Sequence, residues 1–483
     1  MVAVPSVLAP LAPLLASAIL LPFLSRVDDF SRRLRAGCLA SALACAVSLA
    51  LMLAPGGLLW LAVDGQPAKE GAWFYVDGLS AFFATLAFTV LLAVDLYSYR
   101  VLRAEDLPSA YFSLLHLMAC GLYLIFVAGD LVTLFVAWEL MSVSTYALIC
   151  IRRSNDLALE AGVKYLVMSA VASSLILYSI SLLYGYTGAF SYTAVREAVA
   201  RMGDPRAVWV AVALMTAGFG FKSGLVPFHT WVPDVYQESL DPVTAMLSGA
   251  ASKAGIYVLI RVYYTLVPDP RLRVTLALLS AMTMTLGNVA ALLQSDIKRL
   301  LSYSSIAHMG YTLMGIASGT ALGIVAALFH ALSHALAKPL VFICAGCYAQ
   351  AAGSRRLESL RGVGRGAGPL TLSMVLGLLS LASIPGLSGF MSKYMLIASA
   401  FQAGLTWLAL LGIANSAVGV AYYVRVMQCL LSGRGSAGVG SAVKLPSDLM
   451  LLPLALASLC ALFGLVPEPL VRYLALAAAQ LSG

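Results

Sequence analysis

The fold is decided by residues 222–261, which read KSGLVPFHTWVPDVYQESLDPVTAMLSGAASKAGIYVLIR. Apolar sequence flanks both Lys222 and Lys253, and Pro227 stands where the first apolar run would continue as a helix. Because Pro227 lacks the backbone N–H that would donate to the carbonyl of Ser223, we expect the helix to break there. The stretch therefore predicts two membrane helices that each contain a lysine, the first of them discontinuous.

The composition of the whole chain places this stretch in a membrane protein. Of the 483 residues, 61% are hydrophobic and only 11% are charged, whereas soluble domains are about 25% charged. The apolar residues fall in runs of about twenty, the length that crosses ~30 Å of hydrocarbon as a helix. They do not alternate over about ten residues in the way that marks a transmembrane β-barrel. We therefore expect an all-α integral membrane protein.

About fourteen membrane spans are expected, and their order indicates an internal repeat. The expected spans lie near residues 5–24, 36–54, 76–97, 109–128, 130–150, 161–185, 207–233, 240–266, 272–293, 299–317, 320–346, 369–400, 404–430 and 447–466. Pro227 and Pro385 interrupt the seventh and twelfth spans, which hold the same place in two consecutive five-span blocks, spans 4–8 and spans 9–13. Because five is an odd number of crossings, the second block is inverted relative to the first, and such repeats with one discontinuous helix each are typical of transporters. The expected segments are the N-terminal spans in 1–108, the first five-helix repeat in 109–266, the second in 267–431, and the C-terminal span and tail in 432–483.

The distribution of Lys and Arg predicts the orientation of the chain. With the N-terminus outside, most of the 30 basic residues fall in the inner connections, as the positive-inside rule requires. No basic residue precedes the first apolar run, so we interpret that run as a retained span rather than a secretory signal. We therefore expect a multi-pass protein of a prokaryotic inner membrane with both termini outside. The connections are too short for a nucleotide, flavin or iron–sulfur module, and the net charge of +8 is not clustered, so neither a cofactor in this chain nor a nucleic-acid partner is expected.

Basic residues inside apolar runs are the most informative feature of the sequence. A lysine at the centre of a bilayer costs about 2.5–3.5 kcal/mol, so we expect it to face a partner or a hydrated interior and to have a function. For Lys164, Arg261 and Arg425, snorkelling from a helix end to the head groups is the alternative. The basic residues within runs or at their edges are Lys164, Lys222, Lys253, Arg261, Lys338, Lys393 and Arg425, and the one acid well inside a run is Glu139.

Helical spacing groups these charges with other polar side chains into stripes. Residues three, four, seven or eight positions apart share a helix face, and such a stripe suits a file of water or a proton relay, with His exchanging protons near neutral pH. A zinc pair is the alternative for His330 and His334, but no third ligand accompanies them, so no metal is expected. Cys344 and Cys347 form a lone CxxC, which we interpret as packing. The stripes are Glu139, Ser142 and Tyr146; Lys253, Tyr257 and Arg261; Ser304, His308 and Thr312; and His330, His334 and Lys338.

Five segments of the chain carry a family resemblance. They are EAGVKYLVMSAVASSLILYSISLLYGYTG (160–188), the lysine-containing stretch 222–261, DIKRLLSYSSIAHMGY (296–311), FHALSHALAKPLVFICAG (329–346) and SIPGLSGFMSKY (383–394). These segments resemble the antiporter-like membrane-arm subunits of complex I (NADH-quinone oxidoreductase), and the lysine at 393 favours the N-type subunit over the M type. The same family includes the Mrp antiporter D-type chain and subunits of energy-converting membrane hydrogenases.

The resemblance implies a fourteen-helix fold with inverted repeats and a role for individual residues. By it, Glu139 pairs with Lys222 and tunes its proton affinity, and Lys253 is a relay lysine. His308, His334 and Lys338 fall on a central hydrophilic axis that leads to the terminal Lys393. The accessory candidates are His229, His330, Tyr257 and Lys164, and the helix breaks are Pro227 and Pro385.

We therefore expect a proton-translocating subunit, without a redox site of its own, in a complex I-type respiratory complex. A remote redox module would change the pairing of Glu139 with Lys222, and a proton would pass along the axis to Lys393 and leave outward. The expected partners are other membrane-arm subunits, the lipid bilayer, and protons or Na+. The alternatives are the D-type chain of an Mrp sodium/proton antiporter, the ion-pumping subunit of a membrane-bound hydrogenase, and a structural scaffold without transport.

Overall fold

The computed structural model describes residues 7–54, 68–70, 73–202, 204–432 and 447–481, and within these ranges the chain is almost entirely helical. The first two residues of the expected span 5–24 lie outside the described residues. The helices are α1 (Leu11–Leu20), α2 (Phe30–Leu53), α3 (Gly78–Val101), α4 (Pro108–Val127), α5 (Leu131–Ile149), α6 (Asp156–Thr187), α7 (Tyr192–Arg201), α8 (Trp209–Ser223), α9 (Trp231–Glu238), α10 (Asp241–Met246), α11 (Ser252–Arg261), α12 (Arg273–Leu292), α13 (Ile297–Ser318), α14 (Ala321–Ala352), α15 (Gly368–Leu381), α16 (Ser388–Gln402), α17 (Thr406–Leu431), α18 (Ser447–Leu465) and α19 (Glu468–Ala479). Strands β1 (Ala68–Glu70) and β2 (Phe74–Val76) pair antiparallel before α3, and a π-helical segment, Leu247–Ala251, joins α10 to α11.

Helices of membrane-spanning length confirm a multi-pass integral membrane protein. Among the described residues, nine helical segments are long and apolar enough to cross a bilayer, and a tenth is added if the pair Met450–Leu465 and Glu468–Ala479, bent by 80°, is one span. The nine are α2 to α6, Asp241–Leu266, Pro270–Leu292, α14 and α17. The other expected spans correspond to helices that are shorter, interrupted or more polar, and the total of fourteen stays a prediction.

The chain divides into two compact units. Unit 1 comprises Met1–Ser223, Ala250–Leu272 and Tyr473–Gly483, and unit 2 comprises Gly224–Gly249 and Arg273–Arg472. Glu139, Lys222 and Lys253 therefore belong to unit 1. The three histidines His308, His330 and His334 belong to unit 2, together with Lys338 and Lys393.

Two helix breaks lie close to lysines. The first separates α8 from α9 and contains Pro227, and the second separates α15 from α16 and contains Pro385. Lys222 is the penultimate residue of α8, and Lys393 lies in the second turn of α16. Non-helical backbone at membrane depth is tolerated where it is buried in protein or lines a wet cavity. At the second break, the carbonyl of Leu381 has lost the donor that a continuous helix would have supplied, and it accepts from Lys393 at 3.3 Å.

Close backbone approach positions α5, the helix that carries Glu139. A Cβ atom on Gly121 of α4 would lie 2.6 Å from the backbone nitrogen of Met141, so only glycine fits at this contact. Small residues allow membrane helices to pack backbone to backbone in this way. The contact lies half a turn beyond Glu139, so it fixes the position of this part of α5 against α4 within unit 1.

The start of α5 is determined by a capping aspartate. Asp130 accepts hydrogen bonds from the backbone N–H groups of Val132 at 2.8 Å and Thr133 at 2.9 Å, which satisfies donors that the helix cannot satisfy itself. We expect Asp130→Ala to lower the free energy of unfolding by about 0.5–2 kcal/mol, measured by thermal denaturation of the purified complex. Asp130→Asn, which retains a capping oxygen, should be much less destabilised. Equal destabilisation by both variants would show that the charge of Asp130 matters more than its cap.

Candidate functional site

Glu139 and Lys222 lie in the same unit but are held by separate hydroxyl groups. Ser173 of α6 donates to Glu139 Oε1 at 2.5 Å. Lys222 is 1% exposed, donates to the hydroxyl of Tyr165, and has its Nζ 4.9 Å from the centroid of that ring. Among ion pairs of up to 4.0 Å between described residues, none joins Glu139 to Lys222. The ammonium of Lys222 is thus buried without a carboxylate in direct contact.

A polar stripe on α6, which the sequence predictions do not include, lies between Glu139 and Lys222. Tyr165, Ser169 and Ser173 follow one another at intervals of four residues and so share a face of the helix. Tyr146 of α5 donates to Ser169 Oγ at 2.8 Å, and its ring lies 5.4 Å from that of Tyr165. The stripe thus contacts Glu139 through Ser173 and Lys222 through Tyr165. The repeated four-residue spacing of these hydroxyl side chains within an apolar run is the sequence signal that could have predicted the stripe.

Lys253 is buried on α11 within unit 1. The side chain is 1% exposed, and its Nζ donates to Ser252 Oγ at 3.2 Å. Two residues further along, a Cβ on Gly255 would overlap the carbonyl oxygen of Phe219 on α8. This close approach packs the helix of Lys253 directly against the helix of Lys222. The two lysine helices of residues 222–261 are therefore neighbours in unit 1.

Arg261, at the end of the Lys253 helix, is completely buried in an ion pair. Its guanidinium donates to both carboxylate oxygens of Asp77 at 2.6 Å, and its Nε donates to the hydroxyl of Tyr257 at 3.0 Å. The side chains of Arg261 and Asp77 are 1% and 0% exposed. The hydroxyl of Tyr257 donates in turn to the carbonyl of Phe126 at 2.7 Å. The snorkelling interpretation of Arg261 is therefore wrong, because its charge is neutralised inside the protein by an aspartate that precedes α3.

In unit 2, two buried histidines form a hydrogen-bonded line with a serine and a tyrosine. His308 Nδ1 lies 3.0 Å from His330 Nε2, and His308 Nε2 lies 3.1 Å from the hydroxyl of Tyr423. His330 Nδ1 lies 2.9 Å from Ser392 Oγ. The ring of His334 is 5.2 Å from that of His308, centroid to centroid. Because each imidazole can both accept and donate, this line has the chemistry of a proton relay.

Lys338 and Lys393 are the buried lysines of unit 2. Lys338 is 0% exposed and donates to the carbonyl of Leu301 at 2.8 Å and to Ser304 Oγ. Lys393 is 4% exposed and donates to the carbonyl of Leu381 at 3.3 Å. Leu381 lies four residues before Pro385, so its carbonyl has no helical N–H donor. The break at Pro385 thus supplies the acceptor that holds the ammonium of Lys393.

The remaining candidates are Lys164, Arg425 and His229. Lys164 has a half-exposed side chain and pairs with Glu160 at 2.7 Å on the surface of α6. Arg425 is exposed and donates to the carbonyl of Leu292 at 3.0 Å. His229 lies in the break between α8 and α9, is partly buried, and has an Nδ1 atom without a hydrogen-bond partner.

The structure also shows a buried acid and a buried histidine that the sequence analysis did not select. The expectation that Glu139 is the one acid well inside a span is wrong. Asp95 lies within α3 and His116 within α4, and both are 0% exposed. His116 Nε2 is 3.3 Å from Asp95 Oδ2. The expected span 76–97 ends two residues after Asp95, so the sequence places this acid at a helix end.

The buried polar side chains do not form a ligand set for a metal. No group of three or more His, Cys, Asp or Glu side chains converges in the described part of the chain. Both ring nitrogens of His330 are within hydrogen-bonding distance of His308 and Ser392, and Cys344 and Cys347 are buried as free thiols.

Comparisons with known proteins agree on one family. Residues 128–419 match the model of the family described as "NADH:quinone oxidoreductase/Mrp antiporter, TM". The chain is 35% identical to F(420)H(2) dehydrogenase subunit N of Methanosarcina mazei, over 82% of this chain and 83% of that protein. It is 34% identical to NADH-quinone oxidoreductase subunit N 2 of Solidesulfovibrio magneticus, over 88% of this chain and 91% of that protein.

Solved structures show the same fold in multi-subunit membrane complexes. A chain of respiratory complex I from Thermus thermophilus matches with a TM-score of 0.79 and 31% identity, covering 96% of this chain and 98% of that one. A chain of the membrane-bound sulfane sulfur reductase, an archaeal respiratory membrane complex, matches with a TM-score of 0.87 and 26% identity, covering 99% and 97%.

Proposed function

Because the chain belongs to the NADH:quinone oxidoreductase/Mrp antiporter family of transmembrane proteins, we propose that it is the proton-translocating, antiporter-like subunit of a respiratory membrane complex. In this role it couples redox chemistry in other subunits to proton pumping across the membrane. Its partners are other membrane-arm subunits of that complex, the surrounding lipid and the protons that it carries. It contributes no redox centre of its own.

The observation that carries the proposal is the environment of Lys222 and Lys393. Each ammonium is at least 96% buried and is held by neutral groups, a tyrosine hydroxyl for Lys222 and a backbone carbonyl for Lys393. Burial of an ammonium without a carboxylate in contact carries a large free-energy cost. A group of this kind exchanges its proton when a carboxylate approaches or retreats, because the partner changes which form is favoured. Glu139 is the carboxylate that we propose acts on Lys222 in this way.

We further propose that protonation passes along the buried basic groups of each unit. In unit 1, protons pass between Glu139 and Lys222 along the stripe of Tyr165, Ser169 and Ser173. In unit 2, they pass along the hydrogen-bonded His308 and His330. The proposed relay consists of Glu139, Lys222, Lys253, His308, His334, Lys338 and Lys393, with His229, His330 and Tyr257 as accessory groups. Lys164, the fourth accessory candidate, is left out of the proposal because its side chain is half-exposed and pairs with Glu160 at 2.7 Å.

The topology belongs to the same proposal. We propose fourteen spans in a prokaryotic inner membrane with both termini outside, and inverted five-helix repeats in segments 109–266 and 267–431 between the N-terminal segment 1–108 and the C-terminal segment 432–483. The two helix breaks, at Pro227 and Pro385, then occupy equivalent places in the two repeats. Support comes from the breaks themselves, each of which lies next to a buried lysine.

Lys393→Met tests the proposal. Met keeps the apolar length of the side chain but cannot bind a proton, so we expect redox-driven proton uptake by inverted membrane vesicles to fall to the level seen without electron donor. The matched control is Lys164→Met, which removes an exposed lysine and should leave proton uptake unchanged. Assembly is checked by the amount of the complex in the membrane.

Two other outcomes would contradict the proposal. Unchanged proton uptake by Lys393→Met and Lys222→Met would indicate a scaffold without transport. Sodium-dependent proton movement in the absence of an electron donor would identify sodium/proton exchange instead. Both measurements use the same vesicles and a pH-sensitive dye.

A further inference from the structure

A buried polar cluster joins the first four helices of unit 1, apart from the residues of the proposed relay. His116 of α4 lies at its centre, with Nε2 3.3 Å from Asp95 Oδ2 and 2.6 Å from Ser41 Oγ. Ser41 Oγ is also 2.6 Å from Asp95 Oδ1. On the other side of the ring, Nδ1 is hydrogen-bonded to Ser17 of α1. The side chains of His116, Asp95 and Ser41 are 0% exposed, and Ser17 is 8% exposed.

The number of protons that the ring of His116 carries depends on where the hydroxyl hydrogens of Ser17 and Ser41 point. Ser17 donates its hydroxyl hydrogen to the carbonyl of Leu14 at 2.9 Å, and Ser41 donates its hydrogen to the carboxylate of Asp95. Each serine has one hydrogen to give, so both serine oxygens face the ring as acceptors. A neutral imidazole has one N–H and would leave a lone pair against an acceptor oxygen, whereas an imidazolium donates from both nitrogens. With the serine hydrogens placed in this way, the hydrogen-bond pattern favours the imidazolium form, whereas a neutral ring would accept the hydrogen of one serine instead.

The charge balance of the cluster supports the same form. Asp95 is a fully buried carboxylate, and a buried charge needs a compensating charge or the loss of its own. No Lys or Arg is among the described contacts of Asp95 or His116, so the imidazolium is the counter-ion present. Three other titratable groups surround the pair, namely Cys38 and Cys45 of α2 and Tyr111 of α4. Cys38 donates to the carbonyl of Asp95 at 3.4 Å, and Cys45 donates to the carbonyl of Phe88 at 3.2 Å. The hydroxyl of Tyr111 lies 2.8 Å from Ser98 Oγ. None of these three supplies a positive charge.

We propose that His116 and Asp95 form a second proton-binding site, separate from the relay of lysines and histidines, which holds a proton as an imidazolium–carboxylate pair. Asp95 lies six residues before the end of α3 and His116 eight residues after the start of α4, so the rise per residue places the pair roughly 9–12 Å from the α3–α4 connection. The exchange of this proton with the aqueous phase on the side of the connection is part of the same proposal, since the pair itself is fully buried. Proton binding at this pair is proposed independently of redox-driven pumping through the relay.

Ring-nitrogen NMR of histidine tests the proposal on the assembled complex. The complex is prepared with nitrogen-labelled histidine and with either the parent chain or His116→Gln, and the difference between the two solid-state spectra isolates one ring. At neutral pH we expect two protonated ring nitrogens in this difference signal. The same measurement on Asp95→Asn should show one protonated and one unprotonated nitrogen, because the counter-ion is gone. An unprotonated nitrogen in the parent would overturn the proposal, as would an unchanged ring in Asp95→Asn.

Exchange is tested by raising the pH of the parent sample from about 6 to about 10, a range that brackets the unperturbed value of histidine. The ring signal should convert fully from the doubly to the singly protonated form, and an imidazolium that persists throughout would show a permanent ion pair instead. If His116→Gln does not assemble, Asp95→Asn/His116→Gln, which removes both charges together, supplies the reference spectrum. Because the spectra do not measure proton uptake by vesicles, the outcome is independent of the proposed function.

Discussion

Glu139→Gln is expected to abolish redox-driven proton uptake while the complex still assembles. Gln has the size of Glu, and its amide oxygen can accept the hydrogen bond that Ser173 now donates to Glu139. The packing of α5 on α6 is therefore retained, and only the negative charge is lost. In the proposed mechanism that charge acts on the buried ammonium of Lys222, and each ~1.4 kcal/mol of electrostatic interaction changes a protonation equilibrium about tenfold. Without it, the approach and retreat of a carboxylate can no longer load and unload Lys222.

The measurement is the number of protons taken up per electron pair by inverted vesicles. Glu160→Gln is the matched control, because Glu160 lies on the neighbouring helix, is exposed and pairs with Lys164 at the surface. It should pump normally. Ser173→Ala, which removes the hydroxyl but keeps the charge of Glu139, should reduce uptake less than Glu139→Gln does. A normal proton-to-electron ratio in Glu139→Gln would exclude Glu139 from the mechanism.

The membrane helices and the burial of the lysines were predictable because both depend on local sequence. A run of about twenty apolar residues has few alternatives to a buried or membrane helix. A lysine within such a run must be enclosed by protein or reach water. The described structure accordingly places Lys222, Lys253, Lys338 and Lys393 at 4% exposure or less. Proline predicted the positions of the two helix breaks for an equally local reason, the missing N–H.

The partners of the charges were not predictable in the same way. Asp77 and Arg261 are 184 positions apart, and each stands near the end of an apolar run, where exposure to head groups is the ordinary expectation. Asp95 and His116 belong to different helices, so no helical spacing connects them. Which acid meets which base is decided by tertiary packing, and that packing depends on close contacts such as that of Gly121 with the backbone of Met141. Conversely, the Tyr165, Ser169 and Ser173 stripe was available from spacing alone.

Arg261→Met is expected to destabilise the protein more than a substitution at any of the surface charges. It leaves the carboxylate of Asp77 buried without its counter-ion, and breaking a buried ion pair in this way costs about 3–5 kcal/mol. Asp77→Asn should cost a similar amount, because the guanidinium is then the uncompensated charge. We expect a lower temperature of thermal unfolding for the purified complex and less of the chain in the membrane. The control is Arg201→Met, which removes an exposed pair with Glu197 and should cost at most about 1 kcal/mol.

The double variant Asp77→Leu/Arg261→Met separates the ion pair from simple packing. Replacing both partners of a buried pair by apolar residues of similar volume is often neutral, because two desolvation costs are removed together with one attraction. We therefore expect the double variant to unfold at a higher temperature than Asp77→Leu alone, since both lose the hydrogen bond that Asp77 accepts from the backbone N–H of Ser80 at 3.0 Å. The cycle of Asp77→Leu, Arg261→Met and the double variant should give a coupling free energy well above the ~0.5 kcal/mol scatter of independent sites. Additive losses would mean that Asp77 and Arg261 stabilise the protein independently. Arg261 donates a hydrogen bond to Tyr257, and both lie on the helix of Lys253. Proton uptake should therefore be measured alongside stability. A variant that unfolds at the normal temperature but takes up fewer protons would extend the proposed relay to this end of the helix.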